Sequence, residues 1–141
     1  MVREIISSQI WIGNRSDRDN LKQLYNLEIK AIVDLAAEEL PATLARDFIY
    51  CRIPLTDDGN NSSDEIKLAI ETVVNLRKKG IPTLICCSAG MNRSPVIAAS
   101  ALAVEKNIHP KNSLDSFNTG SPMDISASLW EQAKQVVNGM E

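Results

Sequence analysis

The chain has 141 residues, 44% of them hydrophobic and 23% charged. That suits one domain able to bury roughly two thirds of its unfolded surface. With 15 basic and 18 acidic side chains, net charge −3, it lacks the global signature of nucleic-acid binding.

The opening "MVREIISSQIWIG" has no continuous apolar core, since Arg3, Glu4, Ser7, Ser8 and Gln9 interrupt it. Nor does any apolar run reach the ~20 residues of a membrane span. Three cysteines, Cys51, Cys86 and Cys87, form an odd and sparse set. They argue against a disulfide framework and for a reducing compartment, so the expectation is a cytoplasmic protein with no nucleic-acid or membrane partner. No CxxC pair is present and His109 is the only histidine, so neither a metal nor a cofactor is expected.

In chain order, "QIWIG" (9–13) alternates and ends in glycine, which predicts a strand. Ser16 has the placing of a helix N-cap, and Leu21, Leu24 and Tyr25 give that helix an apolar stripe. "IKAIVDLA" (29–36) reads as a buried strand. After Pro41, "ATLARD" has room for one helical turn. "FIYCRIPL" (48–55) reads as another strand, closed by Pro54. "TDDGNNSSD" (56–64) is a polar, turn-rich surface loop. A helix then starts at a Ser62 or Ser63 cap, with Ile66, Ala69, Ile70, Val73 and Val74 on one face, and ends at Lys78, Lys79 and Gly80. "IPTLICC" (81–87) is a short buried strand, and 94–107 is a helix with proline in its first turn. Two more helices are predicted, around 111–119 and 126–138. Strands alternating with helices predict a single α/β domain over 1–141, a mostly parallel sheet flanked by helices on both faces.

The chemistry concentrates in "LICCSAGMNRSP" (84–95). A strand, a loop and a helix start there, with Cys87 at the strand end and Arg93 six residues later. In such a unit the loop amides and the helix N-terminus form an anion cradle, whose positive field favours the thiolate of a cysteine at its base. Arg93 offers a planar, bidentate fork to a tetrahedral oxyanion. Gly90 lets the backbone curl inward.

"CSAGMNRSP" resembles the Cys-x5-Arg-Ser signature of the protein tyrosine phosphatase superfamily. With "QIWIGN", "IKAIVDLA", "RIPLTD" and the helices after the signature, nearly the whole chain looks like the small dual-specificity branch. That resemblance implies a phosphatase-like fold and the hydrolysis of phosphomonoesters on proteins. Cys87 would attack phosphorus and form a cysteinyl-phosphate. Arg93 and the amides of Ser88, Ala89, Gly90, Met91, Asn92 and Arg93 would hold the phosphoryl oxygens. Ser94 would hydrogen-bond the sulfur and help it leave. The family's Ile-Pro-x-x-Asp pattern, here "IPLTD", gives the general acid as Asp57, with Asp58 the competitor one residue on. The implied partner is a phosphoprotein or a small phosphomonoester, with phosphotyrosine, phosphoserine and phosphothreonine all admissible.

Two departures stand out. Cys86 occupies the place of the family's usual histidine, which organises the loop. The positions facing substrate, Ser88, Ala89, Met91 and Asn92, are uncharged, without the lysines that relatives acting on inositol phospholipids carry. Other readings share parts of the pattern. A low-molecular-weight phosphatase or arsenate reductase has its cysteine before its acid, the reverse of Asp57 before Cys87. A rhodanese-like sulfurtransferase needs no upstream acid. A non-enzymatic phosphate-binding module would have no use for Asp57. Outside the loop, Cys51 reads as a packed strand residue whose redox partnership with Cys87 requires neighbouring strands. His109 reads as a solvated loop residue, Trp11 and Trp130 as core or core-edge aromatics, and Lys78 and Lys79 as a helix terminus.

Overall fold

The structure is a computed structural model that describes residues 2–117 and 123–140. Five strands, β1 (Arg3–Ile6), β2 (Ile10–Gly13), β3 (Ala31–Ala36), β4 (Ile49–Leu55) and β5 (Thr83–Cys86), form one sheet in the order β1-β2-β5-β3-β4. β1 runs antiparallel to β2, and all other pairings are parallel. The helices are α1 (Arg15–Arg18), α2 (Leu21–Asn26), α3 (Ser63–Lys78), α4 (Arg93–Lys106), α5 (Pro110–Asp115) and α6 (Ala127–Gly139). Among the described residues, no helix is long and apolar enough to cross a membrane.

Side chains alternate across the sheet with the strand period of two. Ala31, Val33 and Leu35 of β3 and Ile85 of β5 enter the larger core, which α3, α4 and α6 cover. Ile32, Leu84 and Cys86 enter a smaller core with Trp11, Leu24 and Ile29. The central strands are therefore buried on both faces, which is why they read as continuous apolar runs. α4 is buried almost all round, from Val96 to Ala103, so it carries no amphipathic stripe.

The departures from expectation have local causes. α1 is capped by Asn14 rather than Ser16, in a reciprocal box with Asp17, and a second cap at Asn20 starts α2. Of the predicted stripe only Leu24 is buried, because α2 is short and lies at the margin; Leu21 and Tyr25 are exposed. No helical turn forms in 42–47, and the Ala42 amide donates instead to the Tyr50 hydroxyl. Pro54 lies inside β4 rather than closing it. This is an edge strand with a register shift between Asp34 and Ala36, where a missing donor is tolerated. β1, a four-residue edge strand with Arg3 and Glu4 in it, lay below any sequence signal. His109 is the N-cap of α5, its Nδ1 accepting from the Lys111 amide at 3.1 Å. That helix covers Pro110–Asp115, and positions 118–119 of the predicted one lie outside the described residues. Trp11 is core, and Trp130 packs at its edge.

Candidate active site

β5 lies between β2 and β3, and ligands of such sheets bind beyond the carboxyl ends of their strands. The chain leaves β5 at Cys86, curls through residues 87–92 and enters α4 at Arg93. The Cys87 amide donates to the Gly13 carbonyl (3.3 Å) and the Arg15 amide to the Ser88 carbonyl (3.2 Å), so the end of β2 braces the curl. Gly90 sits underneath with φ +74°. A Cβ there would lie 2.8 Å from the Gly13 carbonyl carbon and 2.9 Å from its oxygen. Both atoms are backbone and cannot move aside. Gly90→Ala is expected to destabilise the fold by about 2 kcal/mol or more, combining the left-handed strain with the clash. Differential scanning should read this as a fall of ~5 °C or more.

Cys87 is buried at the base of the curl, and its Sγ accepts from the Gly90 amide at 3.2 Å. Asp57, Cys87, Ser88, Ala89, Met91, Asn92 and Arg93 line one recess of about 310 Å³ with Asp124 and Ser126. α4 is the only described helix whose N-cap makes no side-chain hydrogen bond, so its first amides are not engaged by their own cap. Those amides face the recess as an anion cradle.

Arg93 is 1% exposed, and its guanidinium is fixed from one side. Nη1 donates to Glu38 Oε1 (2.7 Å) and to the Leu55 carbonyl (2.7 Å), and Nη2 to Glu38 Oε2 (2.8 Å). This bidentate pair holds the Glu38 carboxyl down at about 2, chiefly through the hydrogen bonds from Arg93. Nε lies 2.8 Å from Asp57 Oδ1, yet the contact is not aligned as a hydrogen bond. The Nε edge of the fork is thus left toward the recess. Ser94 Oγ is also buried without a hydrogen-bond partner among the described residues, so the expected bond from Ser94 to sulfur is not formed here.

Asp57 and Asp58 separate by geometry. Asn92 Nδ2 donates to Asp57 Oδ1 (3.1 Å), turning that carboxyl over the recess, while Ser126 Oγ fixes its carbonyl at 2.7 Å. Asp58 faces away. Its Oδ1 accepts from Thr56 Oγ1 (2.7 Å) and the Asn60 amide (3.0 Å), and the Thr56 hydroxyl leads the contacts that lower its pKa. Gly59 allows this, since its φ is +80° and a Cβ would lie 2.9 Å from Ser128.

Cys86 and Cys87 are neighbours in sequence but enter opposite cores. Burial, with the Asp34 carboxylate adding to it, pushes the Cys86 thiol well above its ordinary value. β3 separates Cys51 on β4 from β5, so the neighbouring-strand condition for a Cys51–Cys87 pair is not met. Glu38, Glu39, Asp124 and Ser126 are site residues that sequence reasoning missed. The doubled glutamate two residues after a predicted strand was the available signal for the first two. Glu39 accepts from Ser88 Oγ (2.6 Å) and from Arg15 Nη1 (3.1 Å), tying the loop after β3 to the curl.

The sequence profile of the dual specificity phosphatase catalytic domain matches residues 10–136. Human dual specificity protein phosphatase 5 is 28% identical over 107 residues, which are 75% of this chain and 28% of that protein. Three curated relatives align with this chain over 22%, 28% and 15% of their own lengths. The crystal structure of DUSP15 superposes with a TM-score of 0.83 at 21% identity, covering 96% of this chain and 86% of that one. The human tyrosine phosphatase-like serine/threonine/tyrosine-interacting protein superposes at 0.84 with 15% identity, covering 99% and 97%. At such identities the superpositions establish the fold alone. A strand-braced curl under an uncapped helix, matched by that profile over nearly all of its length, places this chain in the dual specificity phosphatase catalytic domain family.

Proposed function

We propose that the domain is a cysteine-dependent phosphatase for phosphomonoesters on proteins, working through a cysteinyl-phosphate. One observation carries this reading: Cys87, Arg93 and Asp57 line a single recess, with the Nε edge of Arg93 against the Asp57 carboxyl. In the first step the Cys87 thiolate attacks phosphorus and the bond to the leaving oxygen breaks, while Asp57 gives that oxygen its proton. The curl amides and the Arg93 Nε edge take the equatorial oxygens, whose charge is greatest in the transition state. In the second step the Asp57 carboxylate removes a proton from water. The water oxygen bonds to phosphorus, the P–S bond breaks, and the thiolate returns. The Ser94 hydroxyl, with no partner among the described residues, is the donor assigned to the departing sulfur. Arg93 and the amides supply the charge stabilisation, so turnover is expected to persist in a metal chelator.

Leaving-group dependence tests the acid. Asp57→Ala should lower kcat by ~10²-fold or more for an alkyl phosphate, which needs protonation, and far less for nitrophenyl phosphate. Asp58→Ala should show no such dependence. If that pattern follows Asp58 instead, the acid is misassigned. A wild-type protein that binds phosphate in the recess and turns over no phosphomonoester is a binding module, and the catalytic reading fails.

A further inference from the structure

Beside the cup lies a larger recess, about 560 Å³, between the loop at 38–44 and the α1–α2 segment. Resting on the phosphatase reading of the cup, we propose that this recess is a subsite for an apolar side chain of a phosphorylated peptide whose phosphate occupies the cup. The two concavities share a wall. Glu38 and Glu39 both line the larger recess, and the same two carboxylates hold Arg93 and Ser88 of the cup. Because the two recesses share a wall, an occupant of the second comes from a residue near the phosphorylated one in the peptide.

The recess is preformed. Arg18, 4% exposed, donates from Nη1 to the Leu40 carbonyl (2.8 Å) and is itself held by the buried Asp34 at 3.0 Å. The Tyr50 hydroxyl accepts from the Ala42 amide (3.0 Å), and Arg52 Nη2 donates to the Glu39 carbonyl (2.7 Å). A loop fixed at three successive backbone points need not be ordered when a ligand arrives, which lowers the cost of binding. On this braced loop Leu40 is 83% exposed, and Leu21, 44% exposed, lines the same recess with Pro41 and Leu44. Neither Leu21 nor Leu40 belongs to either core. Apolar side chains held out on a rigid concave wall are what a peptide-flank pocket presents.

Charge selects the occupant. The charges of the rim are already paired: Arg15 with Glu39, Arg18 with Asp34 and Asp19, Arg52 with Asp34, and Glu38 with Arg93. Such a rim disfavours the surface of an anionic membrane and favours a peptide flank without extra phosphates.

The test is a binding measurement on the Cys87→Ser protein with fluorescent phosphotyrosyl peptides in a glycine–serine background. Leucine is moved through the three positions on each side. One position should tighten binding ~10-fold, as expected for burying part of a leucine side chain. Leu40→Ser and Leu21→Ser should each remove most of that gain and leave the affinity of the leucine-free peptide unchanged. Both side chains are exposed, so melting temperatures should stay within ~2 °C. The proposal is overturned if no position gains, if the gain survives both variants, or if phosphatidylinositol phosphate vesicles compete through Leu40 and peptides do not. Hydrolysis of nitrophenyl phosphate by the unmodified protein reports on the cup alone. Its absence would sink the phosphatase reading, while the peptide scan would still decide the subsite.

Discussion

Replacing Cys87 with serine should abolish phosphomonoester turnover, by ~10⁴-fold or more, while the cup still holds phosphate or tungstate. Removing a nucleophile from a unit whose members act together costs effects of this size. The structural reasons for separating binding from turnover are specific. Oxyanion ligation is assigned to the curl amides, the uncapped start of α4 and the Nε edge of Arg93, and of these only the Gly90 amide also bonds the sulfur. Sulfur and hydroxyl oxygen are close in size, and the Gly90 amide that donates to Sγ can donate equally to a serine Oγ. The melting temperature should therefore shift by no more than ~2 °C, a surface-like change despite the burial. Calorimetric titration with tungstate checks the first half and a phosphate-release assay the second. Turnover retained in this variant removes the cysteinyl-phosphate from the mechanism.

What the sequence disclosed follows from how local each feature is. The interval from Cys87 to Arg93 is one turn of backbone closing on itself, so spacing alone locates it. β5, which leads into it, and the adjacent β3 are buried on both faces, and twofold burial leaves a visible apolar run. The acid was legible only to within two residues. Asp57 and Asp58 share one composition and one loop, and the choice between them rests on Asn92 and Ser126, 35 and 69 positions away from Asp57. The role of Glu38 was hidden for the same reason: a doubled glutamate near a strand end stands out, but no rule of spacing ties it to Arg93 across 55 residues. The short elements differ: β1 was not expected at all, and the helix expected through Leu21, Leu24 and Tyr25 is present but begins as a separate α2 at its own cap. β1 and α2 draw their stability from the sheet edge and the small core beside them, not from an internal period.

Arg93→Lys should be nearly as damaging as loss of the nucleophile, lowering kcat/KM by ~10³-fold or more, in the range of arginines that stabilise transferring phosphoryl groups. The guanidinium does three things at once that an ammonium cannot. It offers Nη1 and Nη2 in parallel to Glu38, Nη1 to the Leu55 carbonyl, and Nε to the recess. A lysine is a point charge with no second edge, so engaging Glu38 would draw it away from the phosphate. Glu38 is then a positioning residue, and Glu38→Gln should weaken tungstate binding and kcat by about tenfold, without the leaving-group dependence of Asp57→Ala. In the Arg93→Lys background the same Glu38→Gln change should cost far less, since the fork it orients is gone. Equal costs in both backgrounds would make Glu38 merely structural. The pH sign follows from the pair. The Glu38 carboxyl is depressed from 4.5 to about 2, so its contribution is complete above pH 4.5 and is lost only as pH falls toward 2. Any acid limb in the rate profile above pH 4.5 must therefore survive in Glu38→Gln, and its disappearance there would show that Glu38, not the nucleophile or the acid, sets it.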